Sequence, residues 1–184
     1  MSIVRRFQPR ELIAAARDAV TAQGSRPHIV TVEAAGAVST GVLRDALGWA
    51  RELASAGGRE LKPRSGSVLL ESPDGVPVVV TWLGAAQVPW LRVCALGAVE
   101  VEVEVDEGTG CASVVTRSGA GEHVVRAGFE EPARRELRRA IDAARASVWP
   151  DELTPFLADL RLQASIVAPA GASTTPHAPV TDNL

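Results

Sequence analysis

Val99 to Asp106 reads Val-Glu-Val-Glu-Val-Glu-Val-Asp. Side chains alternate across a strand, so Val99, Val101, Val103 and Val105 share one apolar face while Glu100, Glu102, Glu104 and Asp106 share an acidic one. Glycine chemistry sets the neighbours. If Gly108-Thr109 and Gly119-Ala120 are each two-residue turns with glycine first, of type II′, the register of three strands follows by counting. Glu100 then faces Arg117, which faces Glu122; Glu104 faces Ser113, which faces Arg126. Val103, Val114 and Val125 line up on the other side. A slip of one residue would destroy both the charge pairing and the valine face.

Outward from this stretch, residues 67–127 are a run of short β-branched segments separated by turn residues, the pattern of an antiparallel meander of six strands. Its first hairpin turns at Pro73-Asp74-Gly75, and Gly84 to Gln87 forms a looser connection. Upstream, Pro9 opens a helix with the stripe Leu12, Ile13, Ala16, Ala19 and Val20, stopped by Gly24. His28 to Ala34 alternates as a strand. Ser39 or Thr40 caps a second helix carrying Leu43, Ala46, Leu47, Ala50, Leu53 and Ala54, with Gly57-Gly58 as its stop. Downstream, residues 130–148 form a helix whose stripe Ala133, Leu137, Ala140, Ile141, Ala144 and Val148 is the longest in the chain. That stripe is expected in the core, with Ile141 at its centre. Trp149-Pro150 breaks the helix, and a short one follows over 154–163 with Thr154 as cap and Pro155 at its first position.

The expected architecture is α+β: a mainly antiparallel meander sheet of about six strands plus one N-terminal strand, with helices packed on one face. Residues 1–167 make one domain. Residues 168–184, with three prolines and no apolar periodicity, read as a disordered tail. This layout is loosely similar to helix-grip lipid-binding domains and to small secretion-chaperone-like domains, and no motif carries either resemblance.

Composition narrows the function classes. The chain has 184 residues, 46% hydrophobic and 22% charged, with a net charge of −3. That balance opposes a nonspecific nucleic-acid or membrane coat held by phosphate neutralisation. No run of about 18 apolar residues occurs, and no signal-type apolar segment follows the arginines of residues 1–10, so the expected location is cytoplasmic. Cys94 and Cys111 have no metal-type spacing and read as thiols packed in strands.

The candidate sites are surfaces rather than catalytic constellations. Glu100, Glu102 and Glu104 could meet a cation or a basic partner, but carboxylates along one strand face lie about 7 Å apart, too far to share an ion unaided. Arg134, Arg135, Arg138 and Arg139 crowd one helix and could meet phosphates or an acidic partner. Acidic neighbours at helical spacing, Glu131 for Arg135 and Asp142 for Arg138, instead suit a solvated face. Trp82 and Trp90 flank one loop and serve either as large core residues or as a binding hot spot. His123 could serve Cys111 or Ser118 as a base, but no third group is placed to orient it. Neither a dinucleotide fingerprint nor a phosphate loop is present. No catalytic residue, metal or cofactor is therefore assigned.

By elimination the expected function is a non-catalytic protein-binding module such as an adaptor, chaperone or immunity-type partner, acting on another protein or by self-association. Two alternatives stay open. One is a helix-grip-like pocket protein that holds an apolar small molecule between the long helix and the sheet, with Trp82 and Trp90 in the lining. The other is an enzyme whose residues are scattered along the chain.

Overall fold

The computed structural model describes residues 5–21, 26–54, 62–63, 69–84, 86–127, 132–147 and 153–167. Its strands are β1 (Ile29–Ala35), β2 (Lys62–Pro63), β3 (Leu69–Glu71), β4 (Pro77–Leu83), β5 (Trp90–Leu96), β6 (Glu100–Asp106), β7 (Cys111–Ser118) and β8 (Gly121–Arg126). The helices are α1 (Arg10–Thr21), α2 (Val42–Ala54), α3 (Pro132–Ala146) and α4 (Leu153–Val167).

All eight strands join one sheet in the order β2-β3-β4-β1-β5-β6-β7-β8. The expectation of a continuous antiparallel meander is therefore wrong. β1 inserts between β4 and β5, antiparallel to β5 but parallel to β4, with Val30 beside Val78 and Ala35 beside Leu83. The physical reason lies in the connection after β4. Residues 84–89 are too many for a tight turn and enough to cross the roughly 10 Å that one intervening strand occupies. β1 brings Val30, Val32 and Ala34 to the centre of the sheet, all buried. The helical crossover that a parallel pair requires is supplied by α2.

From β5 onward the sheet is a meander with the register read from the sequence. Glu100 pairs with Arg117, Arg117 with Glu122, Glu104 with Ser113 and Ser113 with Arg126. Val103, Val114 and Val125 align on the other side. The turns differ in detail: positive φ falls at Gly110 (65°) and Gly121 (125°), not at Gly108 and Gly119. Each loop nevertheless keeps the same centre, so the pairing is unchanged. At the first hairpin Gly75 takes φ 80° and donates its N–H to Ser72 O, as the Pro-Asp-Gly sequence requires.

One face of the sheet carries the core. Val30, Val32, Val78, Val80, Leu91, Val93, Val101, Val103 and Val114 pack with Leu12 and Ala16 of α1 and with Val42, Leu43, Leu47, Trp49 and Leu53 of α2. The other face is open: Val79, Leu83, Leu96 and Val124 remain 39%, 58%, 41% and 41% exposed.

Two helices depart from expectation. The stripe on α3 is not core, because Leu137 is 63% and Ile141 43% exposed; its periodicity is real, but no described element buries it. α4 continues to Val167 instead of ending near 163, because Leu162 and Gln163 are buried and Ile166 and Val167 still pack on the core. The expected stops at Gly24, Gly57-Gly58 and Trp149-Pro150, and the tail at 168–184, lie outside the described residues.

Candidate functional site

In α/β sheets ligands gather beyond the carboxyl ends of parallel strands, which here are β1 and β4. β1 ends at Ala35 and runs through Gly36, a 3-10 turn at Val38–Thr40 and Gly41 into α2. Both glycines adopt positive φ, 139° and 75°. A Cβ on Gly36 would stand 3.0 Å from Val42 Cγ1 and 3.2 Å from Pro89 Cβ, so the turn admits no side chain there without movement. Trp82, on the helix-covered side of β4, donates its indole N–H to Gly36 O at 3.2 Å. Trp90 begins β5 on the open side, level with Ala35 and Asp106. The two tryptophans thus reach the same end of the sheet from opposite faces and do not line one pocket.

Behind this turn lies a buried polar node that joins the N-terminal segment, α2 and α4. Asp45, fully buried, accepts the Phe7 N–H at 3.1 Å and the Arg44 guanidinium at 2.7 Å. Burial pushes its carboxyl above the ordinary range, against the pull of Arg44 and the Phe7 N–H. Asp159 on α4 accepts Arg5 at 2.6 Å and Arg51 Nε at 3.1 Å. Burial would lower the Arg51 pKa, but Asp159 and Glu52 together outweigh it and hold the guanidinium charged. The ring of Phe156 receives both Arg44, 4.8 Å from its centroid, and Arg5, at 5.5 Å. Gly48 makes room for all this: a Cβ there would fall 2.6 Å from Arg5 Nη1 and 3.1 Å from Asp159 Oδ2. Two buried amide atoms, Gln8 Nε2 in the node and Gln163 Oε1 on α4, lack a hydrogen-bond partner among the described residues.

On the open face Arg117 gathers Glu100, Glu102 and Glu122 at 3.0, 2.9 and 2.8 Å, and Arg92 reaches Glu102 at 2.7 Å. The Arg117 hydrogen bond, helped by Arg92, holds the Glu102 carboxyl below the usual range despite partial burial. Cys94 lies beside it, its thiol pushed up by burial and by the Glu102 charge. The structure therefore brings Glu100 and Glu102 together through an arginine, with Glu104 exposed in the next row of the same face. Arg134 and Arg138 are exposed on α3; the side chains of Arg135 and Arg139 lie outside the described residues. Among the described residues no group of three His, Cys, Asp or Glu side chains could hold a metal ion, and no helix is long and apolar enough to cross a membrane.

The polar node was missed from the sequence. Its signals were present: α2 carries four charged residues, Arg44, Asp45, Arg51 and Glu52, among its apolar ones, and Gly48 sits mid-helix, where it costs about 1 kcal/mol relative to alanine. Nothing local to α2 announces that α4 covers them.

No protein-family model matches the chain, and no curated protein matches it in sequence. Solved structures do. The fold is shared with UDP-N-acetylglucosamine 3-dehydrogenase from Acidithiobacillus ferrooxidans, at 12% identity and a TM-score of 0.55 over 84% of this chain and 58% of that one. It is also shared with a putative NADPH-dependent oxidoreductase from Desulfitobacterium hafniense, at 15% identity and a TM-score of 0.53 over 87% and 59%. The chain thus shares its fold with these two oxidoreductases and spans less than three-fifths of their length. This overturns the expected non-catalytic protein-binding module, since both structures that share the fold are oxidoreductases by name.

A dinucleotide does not fit the one strand-to-helix turn of the parallel pair. A helix start receives a pyrophosphate through free backbone N–H groups and a glycine-lined approach. Here the Arg44 guanidinium already lies over Gly41, 2.8 Å from where a Cβ would be. It is already paired with the buried Asp45 carboxylate in the first turn of α2, so it fills the approach to the helix start rather than leaving it open.

Proposed function

We propose that this chain is the non-dinucleotide half of a nicotinamide-dependent oxidoreductase. On this reading it supplies the sheet and helix layer that shapes the small-molecule side of the site, while the dinucleotide is held by another polypeptide segment. The observation that carries the proposal is the superposition of 84–87% of the chain on only 58–59% of two oxidoreductases. The closed β1–α2 turn and the missing glycine fingerprint support the same division of labour. The relevant substrate class is a polar small molecule carrying a hydroxyl or carbonyl that hydride transfer can interconvert.

The test has two arms. Purified chain titrated with NADPH should leave the nicotinamide fluorescence unchanged. The same chain, tagged and recovered from its host, should bring with it activity that oxidises NADPH or reduces NADP in the presence of sugar nucleotides. Stoichiometric NADPH binding by the chain alone, or recovered material without nicotinamide-dependent turnover, overturns the reading.

A further inference from the structure

Among the described residues, two apolar surfaces stand exposed. The first is the stripe of α3, where Leu137, Ile141 and Ala144 follow one another at helical spacing and are all exposed. Arg134, Arg138 and Arg145 lie in a parallel row beside it, since positions four and seven apart share a helix face. From Pro132 to Ala146 the helix carries five arginines against one glutamate and one aspartate, a net charge of +3 (5 − 2).

The second surface is a row crossing the open face of the sheet. Counting register from strand to strand, Leu69 pairs with Val79, Val79 with Thr31, Thr31 with Cys94, Cys94 with Glu102, Glu102 with Val115 and Val115 with Val124. The row is apolar or small except at Glu102. Its β5–β8 part is set among Glu100, Glu102, Glu104, Asp106 and Glu122, against Arg92, Arg117 and Arg126, a net charge of −2 (3 − 5). A basic apolar stripe and an acidic apolar row are complementary in both respects.

We propose that the chain forms a reciprocal dimer in which α3 of each copy lies on the open sheet face of the other, its Leu137–Ile141–Ala144 stripe over the row that ends at Val115 and Val124. The occupant is a second copy because both complementary surfaces belong to the same chain. β8, the outermost strand, ends at Arg126, and α3 begins six residues later at Pro132. A two-fold axis beside β8 therefore lets both helices cross at once. Such an arrangement closes on itself and leaves neither surface for further growth. Two contacts rather than one also bring the buried area toward the roughly 1,200–2,000 Å² of a stable interface. The inference does not depend on the proposed function.

Light scattering on the full chain over a range of concentration and salt is the test. The expected result is a dimer that loosens as salt rises. Ile141→Asp and Val124→Asp, both at exposed positions, should each give a monomer with unchanged circular dichroism. Mixing the two variants should recover part of the dimer, because one of the two contacts, the intact helix of one on the intact sheet of the other, survives. A wild-type chain that is monomeric at every concentration overturns the proposal, as does a dimer that Ile141→Asp leaves intact. Failure of the variant mixture to associate while wild type is a dimer also overturns the reciprocal arrangement.

Discussion

α2 and α3 are near twins in sequence pattern and opposites in burial. Each has apolar residues at helical spacing and charged residues elsewhere. On α2, Val42, Leu43, Ala46, Leu47, Trp49, Ala50 and Leu53 are at most 1% exposed, and even Asp45 and Arg51 lie inside because α4 and the N-terminal segment cover the side turned away from the sheet. On α3 the corresponding apolar positions face outward. Periodicity marks which side of a helix can be buried, and it does not specify what buries it. The cost of covering α2 twice is a set of buried charges, which the node of Arg5, Arg44, Arg51, Asp45 and Asp159 satisfies.

The difference is sharpest under truncation. Trp49 is fully buried and its indole N–H bonds Phe7 O at 2.8 Å. Trp49→Ala should lower unfolding stability by about 3–5 kcal/mol in urea titrations; a loss below about 1 kcal/mol would show that α2 is not the centre of the core. Gly48→Ala comes next. On an exposed helix this change stabilises by about 1 kcal/mol, but here the added methyl collides with the Arg5–Asp159 pair. The net expectation is a destabilisation of about 1–3 kcal/mol from overpacking, and a stabilised variant would mean that the node yields easily.

A smaller effect separates the two faces of the sheet. The Glu102 pKa is lowered from its ordinary 4.5, chiefly by the Arg117 hydrogen bond. The folded state therefore holds this proton less tightly than the unfolded chain. The stabilisation is fully present above the unfolded value and is lost as pH falls through the depressed folded one. Glu102→Gln should accordingly lower the urea midpoint at neutral pH and converge with wild type as the pH falls below that range. A constant gap at all pH values would show that packing, not ionisation, is responsible. Val103, which neighbours Glu102 in sequence but points into the core, should give no such pH dependence when truncated.

How much of this was legible follows from the range over which each feature is decided. The β6–β8 register was readable because hairpin pairing is local: two glycine turns and eight alternating residues determine it. The insertion of β1 was not, since Val30 and Val32 would look the same at an edge or at the centre, and only the partners from residues 77–83 and 90–96 distinguish them. Trp82 and Trp90 were found as residues, but their placement on opposite faces depends on that insertion. The node was invisible for the same reason. Asp45 and Asp159 are 114 positions apart, and neither announces the arginines that link them.

The smallest expected effect is the one that decides whether the twin helices differ only in their cover. Leu137→Ala and Ile141→Ala remove side chains that are 63% and 43% exposed. In dilute solution, where the chain is monomeric, each should change unfolding stability by no more than about 0.5 kcal/mol, as surface substitutions do. Concentration should then separate wild type from both variants. Association stabilises the folded chain by mass action, so the wild-type melting temperature should rise with protein concentration while those of the variants rise less. A loss of several kcal/mol for Ile141→Ala in the monomer would mean that α3 packs on its own sheet, and the contrast with α2 would disappear.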